Sequence, residues 1–347
     1  MPARHAALAK ACSPQAAFLT RHTFLPSRSC ALLLRRAWSS TPSLASSHST
    51  PTLSNATPNA AARKKQTLLS LQKLYKQGTP ITMMTAHDYP SAMFCERAEM
   101  DVVLVGDSLA MVALGYESTN QVTLDEMLHH CRAVARGAKT PFLIGDLPFG
   151  TYETSAEHAL RSSIRMVQDG RMEAVKLEGG HELAPTIRKI TSVGIPVLAH
   201  IGLTPQRAAS LGGFRVQGKT ADRALRLIDD ALAVADAGAF AVVLEAIPEA
   251  VATEITKRVG IPTIGIGAGA GCSGQVLVAL DALGVYDRLS PKFCKTYGEV
   301  GKMSTDALAA YVKDVRERKF PESGKHTYPM AKGEEEKFAA ALTKLVS

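Results

Sequence analysis

From residue 81 onward, short apolar runs alternate with longer stretches whose apolar positions recur every three or four residues. The short runs, at 81–85, 101–105, 141–145, 174–177, 195–199, 240–244 and 261–266, read as strands. An eighth falls at 276–280 or at 284–286. Their near-continuous hydrophobicity fits strands buried on both faces of a parallel sheet. Helical spacing marks 89–100, 124–136, 154–169, 183–192, 221–237 and 248–259 between them, and a short amphipathic helix at 65–77 precedes them. In the stretch from 154, Thr154 and Glu157 fit a capping box and Gly170 a left-handed stop. Strand–helix alternation of this kind predicts a (β/α)8 TIM barrel, with an open doubly wound sheet as the alternative. Residues 321–333, rich in Pro, Gly and charge, read as a linker, and 334–346 as a terminal helix.

Charge divides the chain unevenly. Of its 40 basic residues, eleven lie before residue 81, where there is no Asp or Glu; the remaining 29 face 32 acids. A mildly acidic body argues against a nucleic-acid binder, despite the net charge of +8. The leader, rich in Ser, Ala and Arg, has the composition of a mitochondrial transit peptide. Residues 1–64 are therefore expected to be a leader, 65–320 the catalytic barrel, and 321–347 an appended segment. Apolar runs long enough to span a membrane are not seen. Cys95, Cys131, Cys272 and Cys294 follow neither zinc nor disulfide spacing and read as reduced, buried filler.

Chemistry gathers at the ends of the predicted strands. The second ends in Gly106-Asp107-Ser108, the third in Asp146, the fifth in His200 and the sixth in Glu245, while the fourth carries Lys176 and Glu178. In a parallel barrel these ends share one mouth, and Lys176 and Glu178, two apart, share a face. One Asp after a strand is ordinarily a cap; five polar endings in register are a site. Asp107, Asp146 and Glu178 are hard oxygen ligands suited to magnesium. A 2-oxo acid chelated there would have its carbonyl polarised, Lys176 could neutralise its carboxylate, and Glu245 could serve as base. Gly269, Gly271 and Gly274 satisfy GxGxxG, but too late in the chain for a dinucleotide fold; they are expected to form a close-approach loop at the barrel mouth.

The order of several motifs is more specific. Thr85-Ala86-His87-Asp88-Tyr89, Leu104-Val105-Gly106-Asp107-Ser108-Leu109, Asp146-Leu147-Pro148-Phe149, Val175-Lys176-Leu177-Glu178-Gly179-Gly180, His200-Ile201-Gly202-Leu203-Thr204-Pro205-Gln206, Gly212-Gly213-Phe214-Arg215-Val216-Gln217-Gly218 and Ile264-Gly265-Ile266-Gly267-Ala268-Gly269 resemble the ketopantoate hydroxymethyltransferases over about residues 67–328. His87 stands where that family's pattern has Tyr.

The resemblance implies a barrel of the phosphoenolpyruvate/pyruvate type that transfers a hydroxymethyl group from 5,10-methylenetetrahydrofolate to 3-methyl-2-oxobutanoate through a magnesium-stabilised enolate. It implies Asp107 and Asp146 as magnesium ligands, with Glu178 at or just outside them. Ser108 and Lys176 would hold the oxo-acid carboxylate, His200 would bond substrate, and Glu245 would take the C3 proton. It further implies a homo-oligomer, commonly a decamer. A magnesium-dependent oxo-acid lyase or mutase on the same barrel is the rival enzyme, although the mobile-loop cysteine motif of those lyases is missing. A catalytically dead scaffold is the rival outside enzymology, and the intact polar rim argues against it.

Overall fold

The computed structural model describes residues 63–288 and 291–345. The expected leader lies almost wholly outside the described residues. Eight parallel strands close into a barrel in chain order: β1 (Ile81–Thr85), β2 (Val102–Val105), β3 (Phe142–Asp146), β4 (Ala174–Glu178), β5 (Val197–Gly202), β6 (Ala241–Glu245), β7 (Thr263–Ile266) and β8 (Gly274–Leu277). Helix α1 (Leu68–Lys76) precedes the barrel, and α2 (Tyr89–Arg97) follows β1. The short α3 (Leu109–Val112) and then α4 (Leu124–Gly137) follow β2. Next come α5 (Ala156–Gln168) after β3, α6 (Ala184–Thr191) after β4, α7 (Ala208–Leu211) and α8 (Ala221–Asp236) after β5, and α9 (Glu249–Val259) after β6. The short α10 (Ala279–Ala282), α11 (Val300–Arg316) and α12 (Glu334–Leu345) complete the chain.

Strand periodicity sorts the core into two layers. Outward residues such as Val103, Leu143, Val175, Leu177, Val242 and Leu244 pack beneath the helices. Inward residues such as Val102, Leu104, Phe142, Ile144, Ala174, Leu198, Ala241 and Val243 fill the barrel, and Leu71 of α1 joins them. Along β3 to β6 the inward face is apolar first and polar last: Phe142, Ile144, Asp146; Ala174, Lys176, Glu178; Leu198, His200; Ala241, Val243, Glu245. One end of the barrel is therefore sealed with hydrocarbon and the other presents functional groups, as period-2 geometry requires.

Local chemistry sets the helix starts. Thr123 and Glu126 form a reciprocal capping box on α4, and Asp88 and Ser91 another on α2. The expected box on α5 is corrected. Ser155 is the N-cap and accepts from the His158 amide, while Thr154 Oγ1 bonds the His158 ring. The serine one residue on won because its backbone is extended there. The left-handed residue after α5 is Arg171, not Gly170.

The eighth strand begins at Gly274, ahead of either expected segment. Gly274 pairs with Ile81 at the seam, where a Cβ would strike the Ile81 carbonyl. The glycine-rich stretch therefore descends from the end of β7 to the start of β8: Gly269 lies against Glu249 and Gly271 against Thr253 of α9. It is a close-approach segment, as expected, but it belongs to the outer wall and the seam rather than the mouth.

Helix α11 was not anticipated, because its apolar positions are diluted by charge. All its residues but Gly301 leave more than a third of their surface open, Met303 at 69% and Leu308 at 66% among them. The expected linker carries no helix or strand, and the expected terminal helix is α12. Cys95 and Cys131 are buried and free; Cys272 and Cys294 are free and half-buried. No helix among the described residues is long and apolar enough to cross a membrane.

Candidate active site

The polar ends of β2 to β6 line one cavity of about 400 Å³, together with residues after β8. Asp107, Ser108, Asp146, Lys176, Glu178, His200 and Glu245 all reach it, so the seven residues given a chemical role from the sequence converge there. Asp107, Asp146, Lys176, Glu178 and His200 are nearly or wholly buried. His87, the departure from the family pattern, is not on the lining; its carbonyl faces His130 Nδ1 at 2.5 Å.

Adjacent strands set the contacts. Asp146 and Lys176 are register partners across β3 and β4, and Lys176 Nζ donates to Asp146 Oδ2 at 2.5 Å. The same ammonium is 3.6 Å from Glu178 Oε1. Asp146 Oδ2 also accepts from the Asp107 amide at 3.3 Å. His200 pairs with Glu178 in register; its Nδ1 lies 3.5 Å from Glu178 Oε1 and its Nε2 3.2 Å from Glu245 Oε2. Neither approach is aligned as a hydrogen bond. Glu245 ends β6 opposite Gly202, whose φ of +100° and closeness to the Glu245 carbonyl leave no room for a side chain. The next residue, Ala246, is held at φ +47° by bonds to Ile266 and Gln217, a strained turn beside a functional group.

Two residues given no role from the sequence complete the network. Gln206 donates from Nε2 to Asp107 Oδ2 at 2.9 Å and to the Leu147 carbonyl at 3.0 Å. Its amide donates to Glu178 Oε2 at 3.0 Å, and its Oε1 accepts from the Tyr152 hydroxyl at 2.5 Å. Gln206 stood in a quoted motif, which was the available signal; Tyr152 lies on a loop and gave none.

The electrostatics are those of an anion-rich pocket. Burial, and then the charge of Asp146, drive the Asp107 carboxyl well above the usual carboxylate range. Asp146 is raised by burial, against the pull of Lys176. Burial opposes the Lys176 ammonium, but Asp146, Glu178 and Asp107 outweigh it and hold the lysine charged. Glu178 is held low despite burial, chiefly by Lys176 and His200. His200 is pushed up to about 9: burial and Lys176 oppose its charge, and the flanking Glu178 and Glu245 prevail.

Asp146 Oδ1 and Glu178 Oε1 are buried with no hydrogen-bond partner. Buried acceptors left open in this way mark a place for a cation or a ligand donor. No three His, Cys, Asp or Glu among the described residues surround a single point at metal-binding distance. The Lys176 ammonium contacts both Asp146 and Glu178. Two carboxylates with open positions for water and substrate suit magnesium, which is seldom caged by protein alone.

A closed parallel barrel with buried acids and a lysine at its C-terminal mouth defines a (β/α)8-barrel protein with an enzyme-like polar site. A solved phosphonopyruvate hydrolase, in complex with oxalate and Mg++, shares that fold with a TM-score of 0.51 and 13% identity over 81% of this chain and 98% of its own. The sequence profile of the ketopantoate hydroxymethyltransferase family matches residues 65–323. The 3-methyl-2-oxobutanoate hydroxymethyltransferase of Emericella nidulans is 53% identical over 302 residues, 86% of this chain and 85% of that protein. A relative from Oryza sativa subsp. japonica, named 3-methyl-2-oxobutanoate hydroxymethyltransferase 1, mitochondrial, is 48% identical over 81% of this chain and 79% of its own length. The chain belongs to the ketopantoate hydroxymethyltransferase family. It is an enzyme that hydroxymethylates 3-methyl-2-oxobutanoate.

Proposed function

We propose that the enzyme takes its one-carbon unit from 5,10-methylenetetrahydrofolate, with Glu245 as base and Mg2+ held by Asp107 and Asp146, Glu178 standing beside them. The observation that carries this reading is the open Asp146 Oδ1, buried next to Asp107 in a pocket where three carboxylates face one ammonium. When bound, the metal supplies polarisation of the 2-oxo carbonyl. Lys176 and Ser108 receive the substrate carboxylate. His200, kept protonated, donates to substrate oxygen and places positive charge beside Glu245. Glu245, 14% exposed in its side chain and on the cavity lining, takes the proton from C3. Water cleaves the two C–N bonds of the donor's methylene carbon, releasing tetrahydrofolate and a formaldehyde unit. The carbanion attacks that carbon, whose oxygen takes up a proton as the new hydroxyl.

We read residues 1–64 as a mitochondrial leader, 65–320 as the barrel and 321–347 as an appendage. The acid-free composition of the leader and the name of the mitochondrial rice relative support targeting. A homo-oligomer, a decamer by the family resemblance, accounts for the wet apolar residues of α11.

The decisive experiment is ketopantoate formation by the full chain from 3-methyl-2-oxobutanoate and 5,10-methylenetetrahydrofolate, before and after chelation. Turnover is expected to vanish with the chelator and return with Mg2+. Undiminished turnover in the chelated enzyme would remove the metal from the mechanism.

A further inference from the structure

The cavity is larger than its polar end needs. A volume of about 400 Å³ suits a drug-sized ligand, far more than a five-carbon oxo acid fills. Its polar groups come from β2 to β6, whereas the lining after β8 is largely apolar, with Leu277, Tyr286 and Phe293 among its members. Phe293 packs against Gly267, where a Cβ would meet the ring, so this wall closes over the end of β7.

In that wall stands one acid, Asp281 of α10. Its Oδ1 is buried with no hydrogen-bond partner, and it forms no ion pair among the described residues. Burial alone pushes its carboxyl up to about 6. The helix that carries it is fixed: the Ala279 amide donates to Thr85 Oγ1 at 2.9 Å, and the Ala282 carbonyl accepts from the Tyr297 amide at 2.7 Å. A fixed, unpaired carboxyl among aromatic and aliphatic side chains matches a flat heterocycle that presents two adjacent N–H donors. The 2-amino-4-oxopyrimidine edge of a reduced pterin is such a group. Arg215 and Lys292 also line the cavity without an ion pair among the described residues, which suits a ligand with an anionic tail.

We propose that the β8 side of the cavity seats the folate donor, with Asp281 accepting from the amino and ring N–H groups of its pterin. This rests on the reading of the donor given above. Barrel order then places the pterin wall and the oxo-acid end on opposite sides of the mouth, with Glu245 of β6 between β5 and β7.

The test separates the two substrates. Binding of 5-formyltetrahydrofolate, a folate that cannot donate its carbon as a methylene, is titrated calorimetrically into full-length wild-type, Asp281→Asn and Asp281→Ala enzymes loaded with 3-methyl-2-oxobutanoate. Deuterium exchange at C3 of the oxo acid in D2O is followed without folate. Folate affinity is expected to fall at least about tenfold in both variants, the scale of a lost charge-assisted pair, and far more than the exchange rate does. The near-isosteric Asn variant guards against a folding defect. Unchanged folate affinity, or exchange that falls in step with it, would overturn the assignment. Failure of exchange in the wild type would instead sink the role of Glu245, and the folate titration would still judge Asp281.

Discussion

Lys176 and Asp146 face each other across neighbouring strands, and their side chains meet at 2.5 Å in the interior of the barrel mouth. This ammonium offsets part of the charge of three carboxylates that share the pocket. Replacing it with Met should destabilise the fold by about 3–5 kcal/mol, the usual cost of stranding a buried partner, read from urea denaturation. Turnover should fall at least about a hundredfold. Wild-type stability in Lys176→Met would show that the acids are protonated or hydrated instead.

Glu245 can be tested apart from the other carboxylates, since it contacts only His200 among the charged residues of the pocket. Glu245→Gln keeps shape and loses the base. C3 deuterium exchange should fall about 10²–10⁴-fold, while the Kd of the oxo acid shifts little. Equal losses in both would make Glu245 a binding residue.

Gln206 bonds Asp107, Leu147, Tyr152 and Glu178 at once. Gln206→Leu should leave the barrel folded but weaken Mn2+ binding, read by electron paramagnetic resonance, by about 10–100-fold, as is usual when a group orienting a metal ligand is lost. Tyr152→Phe removes two bonds, one donated to Gln206 Oε1 and a longer one accepted from the Glu178 amide, and should have the smaller effect. Metal affinity equal to wild type in Gln206→Leu would show that Asp107 holds its orientation unaided.

Away from the site, Glu96 accepts from the Lys139 and Thr140 amides at 2.7 and 2.9 Å. Burial opposes its charge, yet these donors hold its carboxyl below the usual range. A lowered folded-state value stabilises above the ordinary glutamate range and ceases to do so as pH falls through the folded value. Glu96→Ala should therefore cost about 1 kcal/mol at pH 7, a difference that starts to shrink as pH falls through the ordinary glutamate range and is gone below the lowered folded value. Activity should not change, and a pH-independent difference would mean that packing is responsible.

Much of this was legible in the chain because strand geometry is strict. Seven strands are legible as short apolar runs between helical stretches, and Phe142, Ile144 and Asp146, or Ala174, Lys176 and Glu178, announce an inward face that turns polar at one end. The eighth overlaps the first of its two expected segments but starts two residues earlier, because Gly274 and Gln275 carry none of the expected hydrophobicity. At the seam, backbone proximity mattered more than side-chain burial. Ser155 displaced Thr154 as a cap for a reason of backbone angle that composition does not encode. Tyr152 and Asp281 escaped notice because nothing in their local pattern marks them; they matter only through what folding brings beside them.

The ring of strands is joined where the first meets the last, and there Gly274 has only a hydrogen to set against the Ile81 carbonyl. Evolution can redecorate the loops of such a molecule almost without limit, yet this point admits no ornament at all. A single methyl group there would push apart the two ends of the chain's architecture, and with them the walls that any two-substrate reaction needs to keep in register.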